Sequence, residues 1–125
     1  MLFDTDLFIW VQRGNRKAAQ LIESETERLL SVLSYMELLQ NAENRKQHEH
    51  TKSFLRDFGF GILPLSENIG HRAAVYIEEY SMANGLGAGD AIVAATAAEH
   101  GLVLCTSNAK HFSPIRDLMT RIFKP

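Results

Sequence analysis

A chain of 125 residues with 46% apolar content is sized for one globular domain and leaves no stretch that reads as disordered. Thirteen basic and fifteen acidic side chains give a formal charge of -2, which advertises no nucleic-acid partner and excludes none, because acids that hold cations make a binding surface look acidic in a charge count. The single Cys105 excludes an intrachain disulfide framework, the start lacks the basic region of a signal peptide, and no apolar run is long enough to cross a bilayer, so a soluble cytoplasmic protein without membrane contact is expected.

Met1 to Phe3 is an apolar run ended by Asp4-Thr5-Asp6, which predicts a short strand with acids at its carboxyl end. Leu7 to Val11 reads as a first turn over the sheet. Arg13-Gly14-Asn15 marks a break before a helix carrying Ala18, Leu21 and Ile22. Leu29 to Leu33 reads as a second strand. Ser34-Tyr35-Met36-Glu37 has the spacing of a capping box, and Leu38, Leu39 and Ala42 continue that helix. Glu43 to Lys52 is polar, an exposed helix or a corner between helices, with the apolar stripe Phe54, Leu55 and Phe58 after it. Phe60 to Leu65 predicts a third strand ending at Pro64. Ser66-Glu67 opens a helix that ends before Gly85. The Asp90 helix runs to His100, with Gly101 as its stop. Leu102 to Cys105 is a fourth strand, Asn108 to Phe112 one helical turn, and Arg121 to Phe123 a short edge strand. Apolar strands alternating with helices predict an α/β fold: a three-layer α/β/α sandwich around a mostly parallel sheet of four or five strands, forming a single domain over residues 1–125.

In such sheets ligands sit outside the carboxyl ends of the strands. Asp4 falls there after the first strand, with Asp6 close by. Glu37 lies one turn into the helix after the second strand, Asp90 at the mouth of the helix before the fourth, and Thr106 and Asn108 just beyond it. Convergent carboxylates repel one another unless a proton or a cation balances them. A hard divalent ion, Mg²⁺ or Mn²⁺, takes oxygen ligands of this kind, and metal-assisted phosphodiester hydrolysis is the chemistry suggested. Each acid also has an ordinary reading. Asp4 and Asp6 would cap the turn that follows, Glu37 would close the box with Ser34, Asp90 would favour the positive end of its helix, and Asn108 would stabilise its own turn. Lys110, His111 and Arg116 sit near the proposed site as phosphate contacts, and Arg13, Arg16 and Lys17 would approach it. Walker, dinucleotide and nucleophile-elbow motifs do not occur.

Three segments resemble the PIN-domain family, and within it the VapC-type toxin ribonucleases of toxin–antitoxin pairs. They are Leu2-Phe3-Asp4-Thr5-Asp6, Ser31 to Glu37, and Gly85 to Phe112 (GLGAGDAIVAATAAEHGLVLCTSNAKHF). The resemblance implies a parallel sheet between helices and acids that coordinate Mg²⁺ or Mn²⁺ for endonucleolytic cleavage of RNA, often tRNA, leaving 3′-hydroxyl and 5′-phosphate ends. It assigns the three constant acids to Asp4, Glu37 and Asp90, makes Thr5 and Thr106 supporting hydroxyls, and puts Asn108 where many members carry a fourth acid. It implies a homodimer silenced by a cognate antitoxin. The alternatives are a catalytically weak PIN-like binding module, motivated by Asn108, and a DNA or flap nuclease.

Overall fold

The computed structural model describes residues 1–125. Five strands form one sheet: β1 (Leu2–Phe3), β2 (Leu29–Ser31), β3 (Gly61–Leu63), β4 (Leu104–Thr106) and β5 (Thr120–Ile122). Their order is β3-β2-β1-β4-β5, and every pairing is parallel. The helices are α1 (Thr5–Gln12), α2 (Arg16–Ser24), α3 (Val32–Gln40), α4 (Arg45–Asp57), α5 (Glu67–Asn84), α6 (Ala88–Glu99) and α7 (Ala109–Phe112). None of them is long and apolar enough to cross a membrane.

Alternation along each strand divides the core in two. Leu2 and Leu104 point into a cluster with Ile69, Ala73 and Tyr76 of α5 and Ala91, Ala94 and Ala95 of α6. Phe3, Leu30 and Cys105 point the other way, into a cluster with Leu7 and Phe8 of α1, Ile22 of α2, Leu38 of α3 and Leu55 of α4. This is the predicted three-layer sandwich, and a sheet covered on both faces explains strands without polar alternation. Ala91, Ala94, Ala95 and Ala97 of α6 are fully buried and let α5 pack close to it. On the opposite face Phe8 and Phe60 lie 5.1 Å apart and Phe54 and Phe58 4.7 Å apart, joining α1, α4 and the approach to β3. Burial pushes the Cys105 thiol up to about 12, so it behaves as a core apolar group.

Several boundaries differ from the sequence expectation. The second strand stops at Ser31 rather than Leu33, because the Ser31 hydroxyl accepts from the Leu33 N–H (3.1 Å) and caps α3. The capping box Ser34–Glu37 does not form. Ser34 is a fully buried residue inside α3, and its hydroxyl has no protein partner. The fourth strand begins two residues late. Gly101, at φ +63°, donates to the Ala98 carbonyl while Leu102 donates to that of Ala97, a paired closure that ends α6 and uses Leu102 as its outer lock. Gly14, at φ +83°, closes α1 in the same way, so Asn15 can cap α2 immediately afterwards.

Arg28, one of the scattered basic residues of the sequence, is an internal clamp. Its guanidinium donates to the carbonyls of Ile22 (2.6 Å), Phe58 (2.8 Å) and Glu23 (2.8 Å), tying the ends of α2 and α4, and it stacks on the Phe58 ring. Arg28→Ala is expected to destabilise the fold by about 2–4 kcal/mol in urea unfolding. Arg28→Lys is expected to recover little of that, because an ammonium cannot span three carbonyls.

Candidate active site

Consecutive strands fill the sheet to one side of β1, and the chain then crosses to the other side for β4. The gap between β1 and β4 is therefore the switch point where open α/β sheets bind ligands. The Asp4 N–H donates to the Cys105 carbonyl (2.9 Å), which locks the end of β1 beside the end of β4. Asp4 leaves β1 there and Thr106, Ser107 and Asn108 leave β4, so residues a hundred positions apart in sequence share one edge.

Asp4 is 8% exposed and caps α1, accepting from the Thr5 N–H (2.8 Å) at one oxygen and from the Thr106 hydroxyl (2.8 Å) at the other. Its ordinary reading as a cap is thus correct, but a cap would not be buried among acids. Burial, the Asp6 carboxylate and, more weakly, Asp90 push the Asp4 carboxyl up to about 7, against the lowering effect of its two hydrogen bonds. Asp6 does not cap the helix. Its Oδ2 accepts from the Ser107 N–H (2.9 Å) and hydroxyl and lies 3.4 Å from the Thr106 hydroxyl, while Oδ1 is buried without a partner. Local sequence pattern favours Asp4 over Asp6 and gives no signal at Ser107. The bonds that matter join positions 6 and 107, which no local pattern reveals.

Glu37 accepts from the Thr5 hydroxyl (2.9 Å), so α3 brings its acid to the residue next to Asp4. Asp90 is the third residue of α6, a helix whose Gly87 cap supplies no side-chain hydrogen bond. Asp90 accepts from His111 Nδ1 at 2.9 Å, and both side chains are about a third exposed (31% and 29%). The same Nδ1 lies 2.9 Å from Asn108 Nδ2. One nitrogen cannot serve both: protonated it donates to Asp90, and unprotonated it would face a carboxylate oxygen with no hydrogen between them. The Asp90 contact therefore favours the tautomer with its proton on Nδ1. Asn108 caps α7 through Oδ1 and donates its N–H to the Thr106 hydroxyl (3.0 Å), so it shapes the loop and holds His111.

Hydrogen bonds thus link Asp4, Asp6, Thr106, Ser107, Asn108, His111 and Asp90, with Glu37 joined through Thr5. The acids and hydroxyls of the cluster offer oxygens, a set that suits a hard divalent ion, and the unpartnered Asp6 Oδ1 and the repelled Asp4 carboxyl are the groups a cation would satisfy. The acids are not drawn tightly together: no three Asp, Glu, His or Cys side chains stand as a ready-made ligand group. Lys110 is exposed on α7. Arg116 lines a cleft of about 490 Å³ against α5 with Arg72, Tyr76 and Asp117, whose lining includes none of the acids at the sheet edge. The largest cleft, about 640 Å³ and lined from α1, α3 and α4, likewise contains none of them.

The raised Asp4 carboxyl has a consequence for stability. The folded chain favours its protonated form, so the contribution of Asp4 is fully present below about pH 4 and is lost as pH rises through about 7. Asp4→Asn is expected to be more stable than the unsubstituted chain near pH 8, by roughly 2–4 kcal/mol in urea unfolding, with the difference vanishing towards pH 4. A variant less stable at both pH values would contradict a strained Asp4.

The PIN domain family matches residues 1–117. A chain of a toxin-antitoxin complex from Klebsiella pneumoniae is 31% identical, with 98% of each chain covered and a TM-score of 0.80. VapBC2 from Rickettsia felis, bound to a promoter DNA fragment, contains a chain of 17% identity, with 98% of each covered and a TM-score of 0.78. A chain of VapBC-1 from nontypeable Haemophilus influenzae is 21% identical, over 97% of this chain and 96% of that one, with a TM-score of 0.78. At those lower identities the likeness speaks for the fold alone. No curated protein matches by sequence. The family match over nearly the whole chain, the parallel sheet and the 31% identical relative agree: this chain belongs to the PIN domain family.

Proposed function

We propose that this chain is a Mg²⁺- or Mn²⁺-dependent endoribonuclease, the toxin of a toxin–antitoxin pair, acting in the cytoplasm as a homodimer and held inactive by its antitoxin. The observation that carries the reading is the crowded carboxyl of Asp4, buried beside Asp6 and Asp90 at the switch point of a PIN-domain sheet. The relative from Klebsiella pneumoniae, described as a toxin-antitoxin complex, supports the biological setting. The single domain over residues 1–125 belongs to the same proposal.

Asp4, Glu37 and Asp90 would hold the ion, with Asp6 beside them. When bound, the ion would lower the pKa of a water and neutralise charge on the phosphate, leaving 3′-hydroxyl and 5′-phosphate ends. The chain's own groups orient these acids. The Thr106 hydroxyl holds one oxygen of Asp4, the Thr5 hydroxyl holds Glu37, and Ser107 holds Asp6. His111 donates from Nδ1 to Asp90, and Asn108 holds the His111 backbone N–H through its Oδ1. Lys110 and His111 are the nearest candidates to meet a substrate phosphate.

Purified protein mixed with total tRNA is expected to cleave it with Mg²⁺ or Mn²⁺ and not in EDTA. Asp90→Asn is expected to lower the rate about 100-fold or more, since several kcal/mol of metal-borne charge stabilisation are lost. Mn²⁺ is also expected to raise the melting temperature of the unsubstituted protein and not that of Asp90→Asn. Binding of Mn²⁺ without cleavage of any RNA would favour a binding module, the reading motivated by Asn108. Cleavage confined to DNA would make the chain a DNA nuclease.

A further inference from the structure

Trp10 and Arg13 have no place in the chemistry above, yet they stand against it. Asp6 and Trp10 lie four positions apart on α1, and Arg13, its C-cap, follows three residues later. The indole Nε1–H of Trp10 donates to the Ser107 hydroxyl (3.4 Å), and that hydroxyl donates in turn to Asp6. The edge of the indole is thus pinned to the carboxylate network. The ring is only partly buried, and the exposed Arg13 guanidinium covers it at 5.4 Å from the ring centre. Arg13 takes part in no ion pair of the chain, nor do its neighbours Arg16 and Lys17 at the α1–α2 corner. Space beside Gly14 in that corner is open.

A partly exposed aromatic face, pinned by its edge to an acid network and followed by three cations outside any ion pair, has the parts of a single-strand binding track: a surface for a base and charges for the backbone. We propose that Trp10 is the stacking platform for an unpaired nucleobase of single-stranded RNA beside the cleaved bond. The base takes the place of Arg13 on the indole, and the freed guanidinium meets the adjoining phosphate. The platform rests on the ribonuclease reading and adds to it a requirement: the substrate presents an unstacked base, as in a loop, and not a continuous duplex. Trp10 touches a substrate base in this assignment, and it fixes which RNA geometry is accepted.

Trp10 is the only tryptophan, so its fluorescence reports on this position alone. Short single-stranded oligoadenylate, titrated in EDTA to prevent cleavage, is expected to quench that emission saturably. The same backbone with abasic sites is expected to bind more weakly and leave the emission unchanged. By anisotropy of end-labelled oligoadenylate, Trp10→Ala is expected to bind roughly 5- to 100-fold more weakly, the range of base–aromatic stacking, and Trp10→Phe within about 3-fold of the unsubstituted protein. Arg13→Ala is expected to flatten the salt dependence of binding, because one phosphate then keeps its counterions. Unchanged emission on binding, equal affinity for abasic and intact strands, or no binding at all would overturn the platform. The abasic comparison needs no substitution and holds even if Trp10→Ala fails to fold. Since binding is read without metal, tRNA cleavage that survives such a result would leave the ribonuclease reading standing. Quenching without cleavage under any metal would sink that reading, and with it the place of the platform beside a cleaved bond, leaving Trp10 as a base-stacking surface of a binding module.

Discussion

One carboxyl group has less water and more negative charge around it than a carboxylate favours, and the site is arranged about that fact. Asp4 ends the two-residue central strand, so it cannot move toward solvent without pulling β1 out of register with β4. Its two oxygens are occupied by Thr5 and Thr106, which lower the carboxyl's pKa but do not cancel the effect of burial and of Asp6. Desolvation is the larger influence here, and hydrogen bonding the smaller. A site of this kind is stabilised by whatever brings positive charge, a proton or a metal ion.

The strain is borne by the rest of the fold. β1 is flanked by parallel strands on both sides and covered by two apolar clusters, one built on the alanines of α6 and the other on phenylalanines of α1, α4 and the turn before β3. Removing a few core methylenes costs as much as a crowded acid does. A rigid centre therefore allows polar groups to be held close together at its edge. The two hydroxyl donors on Asp4 and Glu37 come from residues adjacent to site acids or from the neighbouring strand end, so the supporting contacts arise from the same backbone that places the acids.

The larger clefts of this molecule lie away from the acids. The largest hollow lies between α1, α3 and α4, away from the acids. What surrounds the acids is graded rather than enclosed: Asp4 is buried, Asp90 and His111 are partly exposed, and Trp10 and Arg13 extend the line outward along α1. A polymeric substrate with its charge on the outside fits an open edge better than a pocket, because only one phosphate has to come near the acids while its neighbours remain in water.

Much of this is legible in the sequence, and the failures have physical reasons. The buried strands declare themselves as apolar runs, since a sheet covered on both faces needs them. Ser66, Gly85 and Gly101 mark helix ends, since capping and left-handed backbone are local matters. Asp4, Glu37 and Asp90 stand out because acids beside strand ends and glycine turns are unusual. Ser34 misleads, because its spacing to Glu37 fits a capping box and only the fold shows Ser31 doing the capping while Ser34 is buried. Arg28 looks like one surface cation among many until the fold sets three carbonyls around it. Asp6 with Ser107, Asp90 with His111, and Trp10 with Ser107 are pairs separated by 101, 21 and 97 positions. The sequence by itself determined the layers, the order of the elements and the acids at the edge, because those follow from periodicity and from residue type. The tertiary structure alone decided which acid is crowded, which hydroxyl relieves it and which aromatic leans on it, because those depend on where a parallel crossover sets two strand ends side by side.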